Sequence, residues 1–78
     1  MRAKTYLEPR DFLDEAIVKH RKDGGIVYSY FKLIKAYMKQ GMSEEDAVDW
    51  VEFNTIRSLS YLPQPKPSIK YDYLHQAE

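Results

Sequence analysis

Residues 28–58 read YSYFKLIKAYMKQGMSEEDAVDWVEFNTIRS, and the fold turns on them. Phe31, Leu33, Ile34, Tyr37 and Met38 recur at helical spacing with Lys32, Lys35 and Lys39 on the other side, so residues 30–40 are predicted to form an amphipathic helix. Ser29 stands where an N-cap is needed, because its hydroxyl accepts from an otherwise unpaired amide of the first turn. Gly41 breaks this helix. Ser43-Glu44-Glu45-Asp46 then opens a second one, with a serine cap, an acid at the third helical position and more acid facing the positive end of the helix dipole. This helix is predicted to run to Ser58 or Ser60. Ala47, Val48, Val51, Thr55 and Leu59 form one apolar stripe, whereas Trp50, Phe53 and Ile56 fall outside it. A helix apolar on more than one side is sandwiched or feeds an interface.

Working outward, residues 26–29 are β-branched and aromatic enough for a short strand. Before them, Phe12, Leu13, Ala16, Ile17 and His20 share a helical face, and Pro9 suits a first turn, so a helix is predicted over residues 8–22. Asp23-Gly24-Gly25 would end it, and residues 1–7 form an arm without periodicity. Beyond the long helix, Pro63, Pro65 and Pro67 exclude helix and favour an extended connection over residues 62–67. Ile69, Tyr71 and Tyr73 alternate with Lys70 and Asp72, which predicts a strand over residues 68–73, with residues 75–78 fraying. The expected fold is α+β: three helices with a minimal two-stranded sheet, order α-β-α-α-β, in one small domain.

Seventy-eight residues make a small core. Such a core rarely supplies more than about 3–5 kcal/mol without a disulfide, a metal or a second subunit. There is no cysteine, hence no disulfide and no thiolate metal site, and a homodimer is the expected support. Lys plus Arg and Asp plus Glu each number 12, so the net charge is zero, without the basic excess of dedicated nucleic-acid binders. No apolar run approaches the roughly 18 residues of a membrane span. The opening MRAKTYLEPRDF lacks the apolar core of a signal peptide, and with the absent cysteines this points to the cytoplasm.

Chemistry-bearing constellations are sparse. The two histidines, His20 and His75, sit at the end of an apolar stripe and in the tail, with no nucleophile–base pair nearby in sequence. No catalytic residue, cofactor or metal is therefore expected. Glu45, Asp49 and Glu52 share a helical face, but a divalent-ion site draws ligands from a loop or several elements, and a solvated face is the expected role. Helix, Gly41 turn and helix suggest a helix-turn-helix, yet the would-be reading helix opens Glu-Glu-Asp, which phosphates repel. The lysine row Lys32, Lys35 and Lys39 lies on the other helix. Trp50, Asn54, Arg57 and Tyr61 follow at i, i+4, i+7 and i+11, so they share a side. Trp, Tyr and Arg are enriched at interface hot spots. This side is the candidate protein interface, unless the first helix covers it.

Taken together, residues 27–54 resemble a family of small uncharacterised proteins encoded by bacteriophages and prophages. That family's pattern is a strand ending in an aromatic-acid-aromatic or similar triplet, a lysine-bearing helix, a GM(S/T)EEEA turn and an acidic, aromatic helix ending in EFN. The matching elements are Tyr28-Ser29-Tyr30, Lys32-Leu33-Ile34-Lys35, Gly41-Met42-Ser43-Glu44-Glu45-Asp46-Ala47 and Glu52-Phe53-Asn54. After Asn54 the family often continues through a glycine-bearing turn into an apolar strand; here the proline segment intervenes. The resemblance implies a phage or prophage origin and carries no activity. The expected function is a non-enzymatic accessory protein that binds a host factor, in the host bacterial cytoplasm, and acts by occlusion. The alternative is a small nucleic-acid-associated regulator using the Lys32, Lys35 and Lys39 face.

Overall fold

The computed structural model describes residues 4–72. The helix expected over residues 8–22 is a single turn, α1 (Arg10–Leu13), followed by a 3-10 turn (Asp14–Ala16). The chain then enters strand β1 (Ile17–His20), which pairs antiparallel with β2 (Ile26–Ser29). Two features override the helical spacing. Ile17 and Val18 are β-branched, and their restricted χ1 favours a strand. Asp23-Gly24-Gly25 is a hairpin turn, not a helix cap. Gly24 takes φ +92°, a left-handed value that favours glycine. Arg21 N donates to Gly25 O (2.7 Å), Gly24 N to Arg21 O (3.0 Å) and Gly25 N to Asp23 Oδ1 (2.8 Å). The result is a short hairpin loop with glycine at its left-handed position. Ile17 faces Tyr28 and Lys19 faces Val27, so Val18 is an extra, bulged residue and is exposed.

A third strand, β3 (Ser68–Lys70), lies parallel to β2 and completes a mixed sheet in the order β1-β2-β3. The class is α+β, with three strands instead of two, because the supposed first helix supplied one of them. The strand expected over residues 68–73 occupies Ser68–Lys70; Tyr73, His75 and residues 75–78 lie outside the described residues. Parallel pairing needs a long crossover. Here the crossover is α2 (Tyr30–Lys39), α3 (Glu44–Trp50), a π-helical segment (Val51–Ile56) and a 3-10 turn (Leu59–Tyr61). Pro65 and Pro67 are buried as the chain returns. Arg21 Nη1 donates to Ser68 Oγ (3.3 Å), tying the hairpin to the start of β3.

The core lies between β2 and the helices. Ile26 and Tyr28 of β2 are buried with Leu13, Ala16, Leu33, Ile34, Ala47 and Val51. The buried Tyr28 hydroxyl accepts from Leu7 N (2.8 Å), and Leu7 is itself buried, so the arm is anchored at its inner end. Both expected caps form: Ser29 Oγ accepts from Lys32 N and Ser43 Oγ from Asp46 N, each at 3.1 Å. A serine cap is worth about 0.5–2 kcal/mol. Gly41 carries φ +106°, which sets the turn between α2 and α3. No helix among the described residues is long and apolar enough to cross a membrane.

The start of α2 is capped a second time from beyond β3. Ser29 Oγ donates to Asp72 Oδ2 (2.6 Å) and Phe31 N to Asp72 Oδ1 (3.0 Å). An acid here also complements the helix dipole. Burial pushes the Asp72 carboxyl up, but the hydrogen bonds from Ser29 and Phe31 outweigh it and hold the group below its ordinary value. With the folded pKa lowered, the stabilisation is full above the ordinary carboxylate range and is lost as the pH falls through the lowered value. Asp72→Asn is therefore expected to lose less stability than the wild type between about pH 6 and pH 2. Urea melts at the two pH values check this; an equal loss in both chains would contradict it.

Candidate functional site

Trp50, the sole tryptophan, ends α3 and is 44% exposed. A row of rings leads to it from the interior. Phe12 meets Tyr37 edge-on, with centroids 5.2 Å apart and planes at 84°, and Tyr37 meets Trp50 at 6.2 Å and 51°. Tyr37 is buried, so the indole rests on a fixed support while much of it stays open to solvent. Offset and edge-to-face ring geometry of this kind is favourable beyond the area it covers.

Trp50 and Asn54 are shared by two open concavities of about 360 Å³ each. Met42, Asp46, Asp49 and Phe53 complete the first. The second is lined by Tyr6 and Leu7 of the arm, by Glu8 and Pro9 just after it, by Tyr37, and by Thr55, Ser58 and Leu62. Phe53 is 63% exposed at the rim of the first.

Of the four residues expected to share a side, Trp50 and Asn54 are brought together at these concavities; Arg57 and Tyr61 are exposed but line neither. The π-helical segment is the reason. It adds a residue to the turn, so the side that starts with Trp50 and Asn54 continues to Ser58, at i+8 instead of i+7; Leu62 reaches the second concavity from the extended backbone after the 3-10 turn. Met42, Asp46, Asp49 and Phe53 were not part of the expected interface. Phe53 carried the one available signal, its place off the apolar stripe. The cover over Trp50 is partial and comes from Tyr37 of α2, with the arm across the second concavity from it.

The remaining candidates disperse. Glu52 accepts a 2.6 Å hydrogen bond from the Tyr30 hydroxyl, Asp49 lines the first concavity and Glu45 is exposed. Burial, then the bond to Glu52, pushes the Tyr30 phenol up. Among the described residues no three His, Asp or Glu side chains are grouped to hold a metal ion. His20 sits on the outer strand β1, exposed, with Nδ1 3.3 Å from Lys4 Nζ. Lys32, Lys35 and Lys39 are all exposed on α2, but Lys39 Nζ is 2.9 Å from Glu15 and Lys35 Nζ lies 5.5 Å over the Phe31 ring. Comparison with protein-family models, with curated proteins and with solved structures found no match.

Proposed function

We propose that this chain is a small protein-binding accessory protein of phage or prophage origin that engages a host factor in the bacterial cytoplasm and acts by occlusion. The binding surface is the Trp50, Phe53 and Asn54 side of the long helix. The observation that carries this reading is the exposed Trp50, held on Tyr37 and shared by two concavities. Aromatic anchors seated beside pockets are the usual centres of binding energy in protein interfaces. The phage origin rests on the resemblance of residues 27–54. Occlusion requires a surface and no bond chemistry, so it asks for no nucleophile–base pair.

The alternative, a nucleic-acid-associated regulator using Lys32, Lys35 and Lys39, rests on only these three exposed lysines, in a chain of zero net charge. Neutralised phosphates give binding its strength and its steep salt dependence, and three lysines give little of either. A homodimer through the aromatic surface is a variant of the protein-binding reading, and sedimentation at several concentrations detects it.

The experiment is capture of bacterial proteins on the immobilised chain, with wild type, Phe53→Glu and Arg57→Glu side by side. Phe53 is exposed, so Phe53→Glu is expected to leave the circular dichroism spectrum and melting midpoint unchanged and to lose the captured partner. Arg57→Glu is expected to weaken capture less, because Arg57 lines neither concavity. A partner retained equally by wild type and Phe53→Glu would contradict the reading.

A further inference from the structure

The concavity between Met42 and Asn54 combines two features that select for one kind of group. Its aromatic members, Trp50 and Phe53, are exposed at 44% and 63%. Aromatic faces are electron-rich and attract cations, arginine above all. Its charged members are Asp46 and Asp49, with no lysine or arginine among the lining residues. The ion pairs of the described residues are Arg10–Asp14, Arg21–Asp23 and Lys39–Glu15, so neither Asp46 nor Asp49 is neutralised by the chain itself. Carboxylates bind a guanidinium through charge-assisted, often paired hydrogen bonds. A planar guanidinium can stack on an indole and pair with a carboxylate at once, which a compact, strongly hydrated ammonium does less well.

We propose that this concavity receives an arginine side chain of the partner protein, with its guanidinium against Trp50 and the Asp46 and Asp49 carboxylates, and an adjoining apolar side chain against Phe53 and Met42. The proposal rests on the protein-binding reading above and names the chemistry of the segment bound. A second copy of this chain is the competing occupant, because it would offer Arg57, which is exposed and in none of the ion pairs of the described residues. The lysine row is the poorer donor, since an ammonium stacks and pairs less well than a guanidinium. Charge complementarity also implies that the encounter is steered and salt-sensitive.

Trp50 makes the test direct, because it is the chain's only tryptophan and reports the site without background. The probes are a short peptide of alternating arginine and leucine and two counterparts, one with citrulline and one with glutamate in place of arginine. Citrulline keeps the shape of arginine and removes its charge. The arginine peptide is expected to shift the Trp50 emission saturably, to bind at least tenfold more tightly than the citrulline peptide, and to weaken as salt is raised. The paired change Asp46→Asn and Asp49→Asn is expected to remove that tenfold preference with the circular dichroism unchanged. Equal binding of the arginine and citrulline peptides, or tighter binding of the glutamate peptide, would overturn the proposal and leave the docking surface intact. So would an arginine peptide that leaves the emission unchanged while Phe53→Glu still abolishes partner capture. A Trp50 emission that depends on the chain's own concentration and is reset by Arg57→Glu, or by Lys32→Glu with Lys35→Glu, would make a second copy the occupant, and would overturn the proposal as well. If neither peptides nor captured partner depend on this surface, the protein-binding reading fails with it.

Discussion

Leu13→Ala is expected to remove a large part of the chain's stability. Leu13 is fully shielded from solvent although it sits on a helix of a single turn, so its side chain, not helical hydrogen bonding, holds α1 against the core. Removing a buried leucine side chain to its Cβ costs about 2–5 kcal/mol, the spread reflecting how far the site collapses. A domain of this size has about 3–5 kcal/mol to lose. The fully buried neighbours Ala16, Leu33 and Ile34 belong to the same cluster, and β2 brings Tyr28 and Ile26. Thermal melts followed by circular dichroism measure the effect. At about 4–8 °C per kcal/mol for a domain of this length, the midpoint should fall by at least about 8 °C. A smaller shift would mean that α1 is peripheral to the core.

Trp50→Ala is expected to have the opposite profile, with a small loss of stability and a large loss of binding. Nearly half of the indole is exposed, and its ring contact is to Tyr37 alone among the described aromatic pairs. A central aromatic anchor typically contributes about 2 kcal/mol or more to an interface. That corresponds to about a 30-fold weaker dissociation constant. Calorimetric titration of the captured partner against wild type and Trp50→Ala reads it. Unchanged affinity with unchanged folding would remove Trp50 from the interface.

How the sequence was legible differs from element to element, for physical reasons. Caps are local: Ser29 and Ser43 each satisfy an amide three residues on, and both are found where their sequence context places them. Amphipathic spacing in α2 and the apolar stripe of the following helix are equally local: Leu33, Ile34, Tyr37, Ala47, Val51 and Thr55 are buried, Met38, Val48 and Leu59 are half-buried, and Phe31 is exposed. Residues 8–22 misled because Phe12, Leu13, Ala16 and Ile17 satisfy helical spacing while Ile17 and Val18 also satisfy a strand. The decision lies with the partner strand β2, whose pairing is not visible in the segment itself. Strand β1, the one the sequence reading lacked, was hidden by the same error. The Asp72 cap on α2 joins groups more than forty residues apart, and no local pattern announces it.

The site shows the same division. Trp50 and Asn54 were recognisable by residue type and by a spacing that spans one ordinary turn. Arg57 and Tyr61 were grouped with them on the assumption of an unbroken α-helical period. The π-helical segment at Val51–Ile56 rephases the helix, and Ser58 takes the place of Arg57, while Leu62 arrives from the extended chain beyond the 3-10 turn. Such segments occur frequently at functional sites, since the extra residue re-aims the side chains around it. Here the shift falls where Phe53 and Asn54 meet the concavities.

The central claim is that the Trp50 surface docks a protein partner, and fluorine NMR of the chain labelled with fluorotryptophan tests it most directly. One tryptophan gives one resonance, and an unlabelled partner adds none. The resonance is expected to move on adding the captured partner, and to lose its response to added paramagnetic reagent as the indole becomes covered. A resonance that keeps its position and its solvent response while the complex forms would place the partner elsewhere on the molecule and contradict the account.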